Sequence, residues 1–159
     1  MIATWVGIND VVWNVDAEEF VEKLIQQHEA LYDAGLRNFL WVDVPPLYLF
    51  PGQPPSSYGN RSLTTKYQTG RTGASPEPVH AWNTALANAV TRFKECHPDS
   101  TTFLYSSFET FSRVFADPVK FGFQEQDVRK RIGGILVDGL HPTTAMHRII
   151  ADDIARVLE

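Results

Sequence analysis

The chain is poor in the features that mark several protein classes. It has 159 residues and one cysteine, Cys96, so no intrachain disulfide framework exists. No run of eighteen apolar residues occurs, which leaves no candidate membrane-spanning helix. Basic residues are the scarcer charged type: 14 Lys and Arg stand against 19 Asp and Glu, a net charge of −5. That balance argues against a nucleic-acid or anionic-membrane surface. There is no glycine-rich phosphate loop and no acidic cluster of the receiver type, which weighs against a nucleotide-binding or signalling module. Internal repeats and low-complexity segments are absent too. His141 and His147 are six apart, on different sides of a helix, with Asp152 and Asp153 further down it, which makes a poor metal-ligand set.

What remains is an ordinary globular composition, with 43% hydrophobic and 21% charged residues. The apolar start, Met1-Ile-Ala-Thr-Trp-Val-Gly, lacks the basic flank and cleavage site of a secretory signal. It reads as a strand over residues 2–6, stopped by the turn chemistry of Gly7-Ile8-Asn9-Asp10. Asp16 and Glu19 make a capping-box-like pair opening a helix, whose apolar stripe is Phe20, Val21, Leu24, Ile25, Leu31 and Tyr32. Gly35 suits a left-handed helix terminator.

Residues 38–43 read as a strand covered on both faces. Residues 45–75 are a long proline- and glycine-rich stretch, suited to a packed surface loop or a substrate-contacting one. Ser75 and Pro76 begin a helix with Val79, Trp82, Leu86, Ala89, Val90 and Phe93 inward. A strand at 101–105, a helix at 108–115, a charged loop at 117–131, a short apolar strand at 135–137 and a helix from about Thr143 to Leu158 complete the order. Alternating strands and helices of this length predict an α/β fold: a parallel sheet with helices on both faces, in one domain.

In such sheets ligands bind beyond the carboxyl ends of the strands. Two segments fall there. Asp138 and His141, three apart in a loop, can form a carboxylate–imidazole pair that leaves Nε2 as a general base; alternatively Asp138 caps a turn before Pro142. Asn9 can donate its amide to an oxyanion, or serve as one half of a turn dipeptide.

Taken together, five segments resemble blocks of the GDSL/SGNH hydrolase superfamily, in its fungal acetylesterase-like branch. They are Gly7-Ile8-Asn9-Asp10, Val42-Asp43-Val44-Pro45-Pro46-Leu47, Asp117-Pro118-x-x-Phe121-Gly122-Phe123, Asp138-x-x-His141, and His141-Pro142-Thr143-Thr144-Ala145-Met146-His147. The resemblance implies a three-layer, flavodoxin-like αβα fold and cofactor-free, metal-free ester hydrolysis through an acyl-serine. The substrates it implies are acetyl or short-chain acyl esters, including acetylated carbohydrate. It assigns Asn9 to the oxyanion hole, His141 to the general base and Asp138 to its orientation.

The sequence departs from that family in lacking its Gly-Asp-Ser block, and it contains no Gly-x-Ser-x-Gly. None of Ser56, Ser57, Ser62, Ser75, Ser100, Ser106, Ser107 or Ser112 fits a nucleophile elbow. The expectation is a C-terminal portion of the fold, without its first strands and its serine. Such a portion is inactive alone and has an open strand edge that invites self-association. The alternative is a non-catalytic remnant that binds carbohydrate or a protein partner. Asn60-Arg61-Ser62 is a glycosylation sequon and would fit secretion of a longer form.

Overall fold

The computed structural model describes residues 1–51 and 75–159. The remainder of the proline-rich stretch, with Tyr58, Tyr67, the sequon at Asn60 and Ser56, Ser57 and Ser62, lies outside the described residues. The fold is α/β. Three parallel strands, β1 (Ile2–Trp5), β2 (Asn38–Val42) and β3 (Thr101–Tyr105), form one sheet in the order β1-β2-β3. The register sets Ile2 beside Phe39, and Asn38 beside Thr101. Five helices connect or follow them: α1 (Ile8–Val12), α2 (Ala17–Asp33), α3 (Pro76–Cys96), α4 (Ser107–Ala116) and α5 (Thr144–Leu158). This arrangement is consistent with a flavodoxin-like α/β fold.

Alternation along β2 explains the two helical layers. Phe39 and Trp41 point one way, stacking at 5.4 Å and meeting Phe93 of α3 edge-on at 5.1 Å each. His28 of α2 lies 4.9 Å from Trp41 on that side. The next position, Val42, is in register with Tyr105. The Tyr105 hydroxyl donates to Thr110 of α4, which donates to Asp153 of α5. Helices α2 and α3 therefore cover one face, and α4 and α5 the other. All of Phe39, Leu40, Trp41 and Val42 are buried, as expected for a central parallel strand.

The helix ends follow their sequence signals. Asp16 accepts from the Glu19 N–H at 3.0 Å. After α2 the N–H groups of Gly35 and Leu36 bond the carbonyls of Tyr32 and Leu31, with Gly35 at φ 100°, a Schellman closure. Thr143 caps α5 by accepting from the Met146 N–H.

Three expectations are corrected. Residues 8–12 are a short helix rather than a plain turn, because the Gly7 carbonyl already accepts from the Val11 N–H at 3.0 Å. Residues 135–137 do not join the sheet. Ile135 and Leu136 are buried, but Leu136 makes only an isolated antiparallel bridge to Pro142. The charged loop contains two 3-10 turns, Val119–Phe121 and Glu125–Arg129.

β1 pairs with β2 alone among the described strands. Polar contacts fasten it. The Trp5 indole N–H donates to the Asp43 carbonyl at 3.0 Å. Thr4 Oγ1 lies 2.9 Å from His28 Nε2, while Nδ1 of that ring lies 2.8 Å from the Leu24 carbonyl. A carbonyl only accepts, so Nδ1 carries a proton, and Nε2 shares a hydrogen bond with the Thr4 hydroxyl.

Candidate active site

The first element of the site follows β1. Gly7 turns the chain at φ 107°, buried against the Trp82 indole, and α1 begins directly after it. That places Asn9 in the first turn of α1, beyond the carboxyl end of β1 and exposed to solvent. Its side chain makes no hydrogen bond among the described residues. A free amide on a short, anchored helix is able to donate to an oxygen brought to it.

The second element is the loop between the Leu136 bridge and α5. Val137 N–H donates to the His141 carbonyl at 2.7 Å, and Thr143 N–H to the Ile135 carbonyl at 3.0 Å. These bonds pinch residues 138–141 into a tight loop. Gly139 adopts φ 89°, and a Cβ there would lie 2.6 Å from the Pro51 carbonyl oxygen. The loop thus rests on the segment that follows β2.

Within it, Asp138 uses both oxygens. Oδ1 accepts from the backbone N–H groups of Leu140 at 3.0 Å and His141 at 2.9 Å. Oδ2 lies 2.7 Å from His141 Nδ1. The His141 N–H, the imidazole and the Leu140 N–H outweigh desolvation and hold the Asp138 carboxyl at a pKa of about 2. It is therefore ionised at neutral pH. A carboxylate only accepts, so it selects the tautomer protonated at Nδ1. Nε2 is left without a hydrogen bond among the described residues, on a side chain 71% exposed. This is the geometry of an oriented general base.

The structure thus brings Asp138 and His141 into direct contact. No hydrogen bond among the described residues joins Asn9 to either; Asn9 follows the carboxyl end of β1, whereas the 138–141 loop follows no sheet strand and rests against Pro51. Nor does any described serine hydroxyl bond His141. Ser106 has a more suggestive place than its sequence indicates, between β3 and α4. Yet its backbone is ordinary extended chain, at φ −93° and ψ 98°. Its hydroxyl donates to Asp43 Oδ2 at 2.6 Å and accepts from the Glu109 N–H at 3.1 Å. It is a helix cap, with no imidazole bonded to it.

Asp43 is the polar group that sequence reasoning passed over. It ends an apolar strand run and falls in one of the five resembling segments, but neither signal assigned it a role. It is 8% exposed, and desolvation raises its pKa despite bonds from Ser106, Ser107 and Phe108. Among the described residues, no group of His, Cys, Asp and Glu is arranged to hold a metal ion, and no helix is long and apolar enough to cross a membrane.

No protein-family model matches the chain. It is similar to an acetylesterase from Thermothelomyces thermophilus, at 26% identity over 164 residues that take in 98% of this chain and 51% of that protein. The chain spans about half the length of the curated relative it matches.

Proposed function

We propose that this chain contributes the general-base side of an ester hydrolase acting on acetyl or short-chain acyl esters, in the manner of SGNH-type serine hydrolases. The observation that carries the reading is the Asp138–His141 pair, with Nδ1 held at 2.7 Å and Nε2 without a hydrogen bond among the described residues. The similarity to an acetylesterase supports the same reaction class. In this reading Nε2 of His141 takes the proton of a serine hydroxyl as that oxygen attacks the ester carbonyl. Asp138 holds the ring and stabilises the imidazolium. Asn9 donates to the oxyanion, and the protonated His141 returns its proton to the departing alcohol. Water, deprotonated by the same nitrogen, releases the acid. The serine of this reading belongs to the family's Gly-Asp-Ser block, which this sequence lacks, so the chain alone is expected to be inactive.

The test joins this chain to the unmatched half of the acetylesterase relative and follows hydrolysis of p-nitrophenyl acetate. Turnover that His141→Ala lowers by roughly 10³-fold or more supports the reading. A folded fusion without turnover, or turnover indifferent to His141→Ala, overturns it. The isolated chain is expected to give no covalent label with a fluorophosphonate.

A further inference from the structure

Between α3 and α4, where β2 and β3 end, the surface opens into a cavity of about 340 Å³. Its lining takes in none of Asn9, Asp138 and His141, so the ester-hydrolase reading makes no use of it. The volume lies at the small end of ligand sites.

Asp43 is the buried group of this cavity, 8% exposed. Buried charges are ordinarily paired with a charge of opposite sign. Asp43 is bonded only by neutral donors. Its Oδ1 accepts from the Phe108 N–H at 2.8 Å and the Ser107 hydroxyl at 3.1 Å, and its Oδ2 from the Ser106 hydroxyl at 2.6 Å. The Ser107 hydroxyl is shared with the Asp43 carbonyl, which is nearer to it, at 2.5 Å. No cationic side chain pairs with Asp43 among the described residues. Burial raises its pKa, and the donors offset that only in part. A carboxylate offers about four acceptor sites, so Oδ2 keeps one unused.

The lining around that lone pair suits a positive charge. Glu109, in the first turn of α4, brings a second carboxylate, exposed and unpaired among the described residues. The positive end of α4 favours the ionised form of both acids. Thr84 and Asn88 of α3 add side-chain oxygens that accept no hydrogen bond among the described residues. The Phe108 ring lies 5.4 Å from the His80 ring and 6.4 Å from the Tyr48 ring. Aromatic faces attract cations and also hold an alkyl stem. The net charge of −5 draws cations toward the whole chain. A primary ammonium carries three N–H donors and no acceptor. Asp43 Oδ2, the Glu109 carboxylate and the Asn88 carbonyl oxygen are three acceptors from three elements around one cavity.

We infer that this cavity binds a primary ammonium ion on an apolar stem, with its N–H groups on Asp43, Glu109 and Asn88 and its stem on Phe108. The inference does not rest on the hydrolase reading, and it is measured without turnover. The same chemistry comes from a free alkylamine or from a lysine side chain. The full chain is therefore titrated at neutral pH by ¹H–¹⁵N NMR with n-butylammonium chloride and, separately, with Nα-acetyl-lysine N-methylamide. At least one of the two is expected to bind in the millimolar range, and the tighter identifies the source. n-Butanol lacks the charge and tetramethylammonium lacks the N–H groups; each is expected to bind about threefold or more weakly. Glu109→Gln, at an exposed position, is expected to weaken ammonium binding about threefold to tenfold, Asp43→Asn by at least as much, and His141→Ala to leave it unchanged. Absence of ammonium binding to the folded chain overturns the inference. So does equal or tighter binding of either comparator, binding that ignores Glu109→Gln, or binding that is lost with His141→Ala.

Discussion

Gly7→Ala separates two costs that usually arrive together. At φ 107° the position lies in the left-handed region, where an L side chain is strained by roughly 1–2 kcal/mol. The new Cβ would also stand 2.3 Å from Cε2 and 2.4 Å from Nε1 of Trp82. That indole is 3% exposed and enclosed by the core, so it cannot swing aside. Overpacking of this kind costs about 1–3 kcal/mol. The sum, about 2–5 kcal/mol, is a large share of the stability typical of a domain. Urea unfolding at unchanged m-value reads it directly. In a thermal melt it corresponds to a fall of roughly 4–20 °C for a chain of this length. A double-mutant cycle divides the total. With Trp82→Ala in place the clash has no partner, and Gly7→Ala should then cost only the backbone strain. The coupling should be about 1–3 kcal/mol. A cost below about 1 kcal/mol in the parent, or a cycle without coupling, would refute the reasoning.

Three more outcomes are expected. Asp138, held at about 2 against the usual 3.8, has a depressed folded-state pKa. Its contribution to stability is therefore present above the usual value and lost as pH falls toward 2; a carboxyl ¹³C titration midpoint near 3.8 would contradict this. Asp43 has the opposite sign. Burial raises its pKa, so the folded chain holds that proton more tightly than the unfolded chain, and stability falls as pH rises through the folded-state value. Asp43→Asn should flatten that slope, whereas Asp43→Ala should cost about 1–3 kcal/mol by stranding buried donors. Finally, the open edge of β1 should promote self-association, seen as a sedimentation coefficient that rises with concentration and is suppressed by Ala3→Lys. A monodisperse monomer with a sharp, high melting transition would count against it.

Long periodic segments were the most legible part of the sequence. Every residue assigned inward on α3, from Val79 to Phe93, is buried, because 21 residues give the 3.6-residue period room to declare one face. On α2 the pattern overreached. Phe20 shares the apolar stripe but is 38% exposed, with Lys23 Nζ 5.0 Å over its ring. Periodicity reports which face is apolar, not how far the neighbouring layer extends to cover it. α1 escaped notice because five residues are too few to show a period, and Gly7 with Asn9-Asp10 carries turn chemistry. Ile135-Leu136-Val137 looked like a strand since burial and strand pairing leave the same apolar trace. The Asp138–His141 contact could be read from a spacing of three in a loop. The Asp43 cavity could not, because Asp43, Asn88 and Glu109 come from three elements that only the packing of α3 against the strand ends brings together.

The fastening of β1 bears on how the sheet chooses its alignment. A slip of one residue would turn every side chain of a strand over, and hydrophobic pattern forbids it. A slip of two residues keeps each side chain on its own face, and over four residues with Ala3 exposed and the rest half-buried, pattern discriminates weakly. The discriminating contacts are Trp5 to the Asp43 carbonyl and Thr4 to His28. Each is worth about 1 kcal/mol net. The edge strand is thus aligned by two polar bolts, and Trp5→Phe together with Thr4→Val would leave its burial nearly intact while releasing its register.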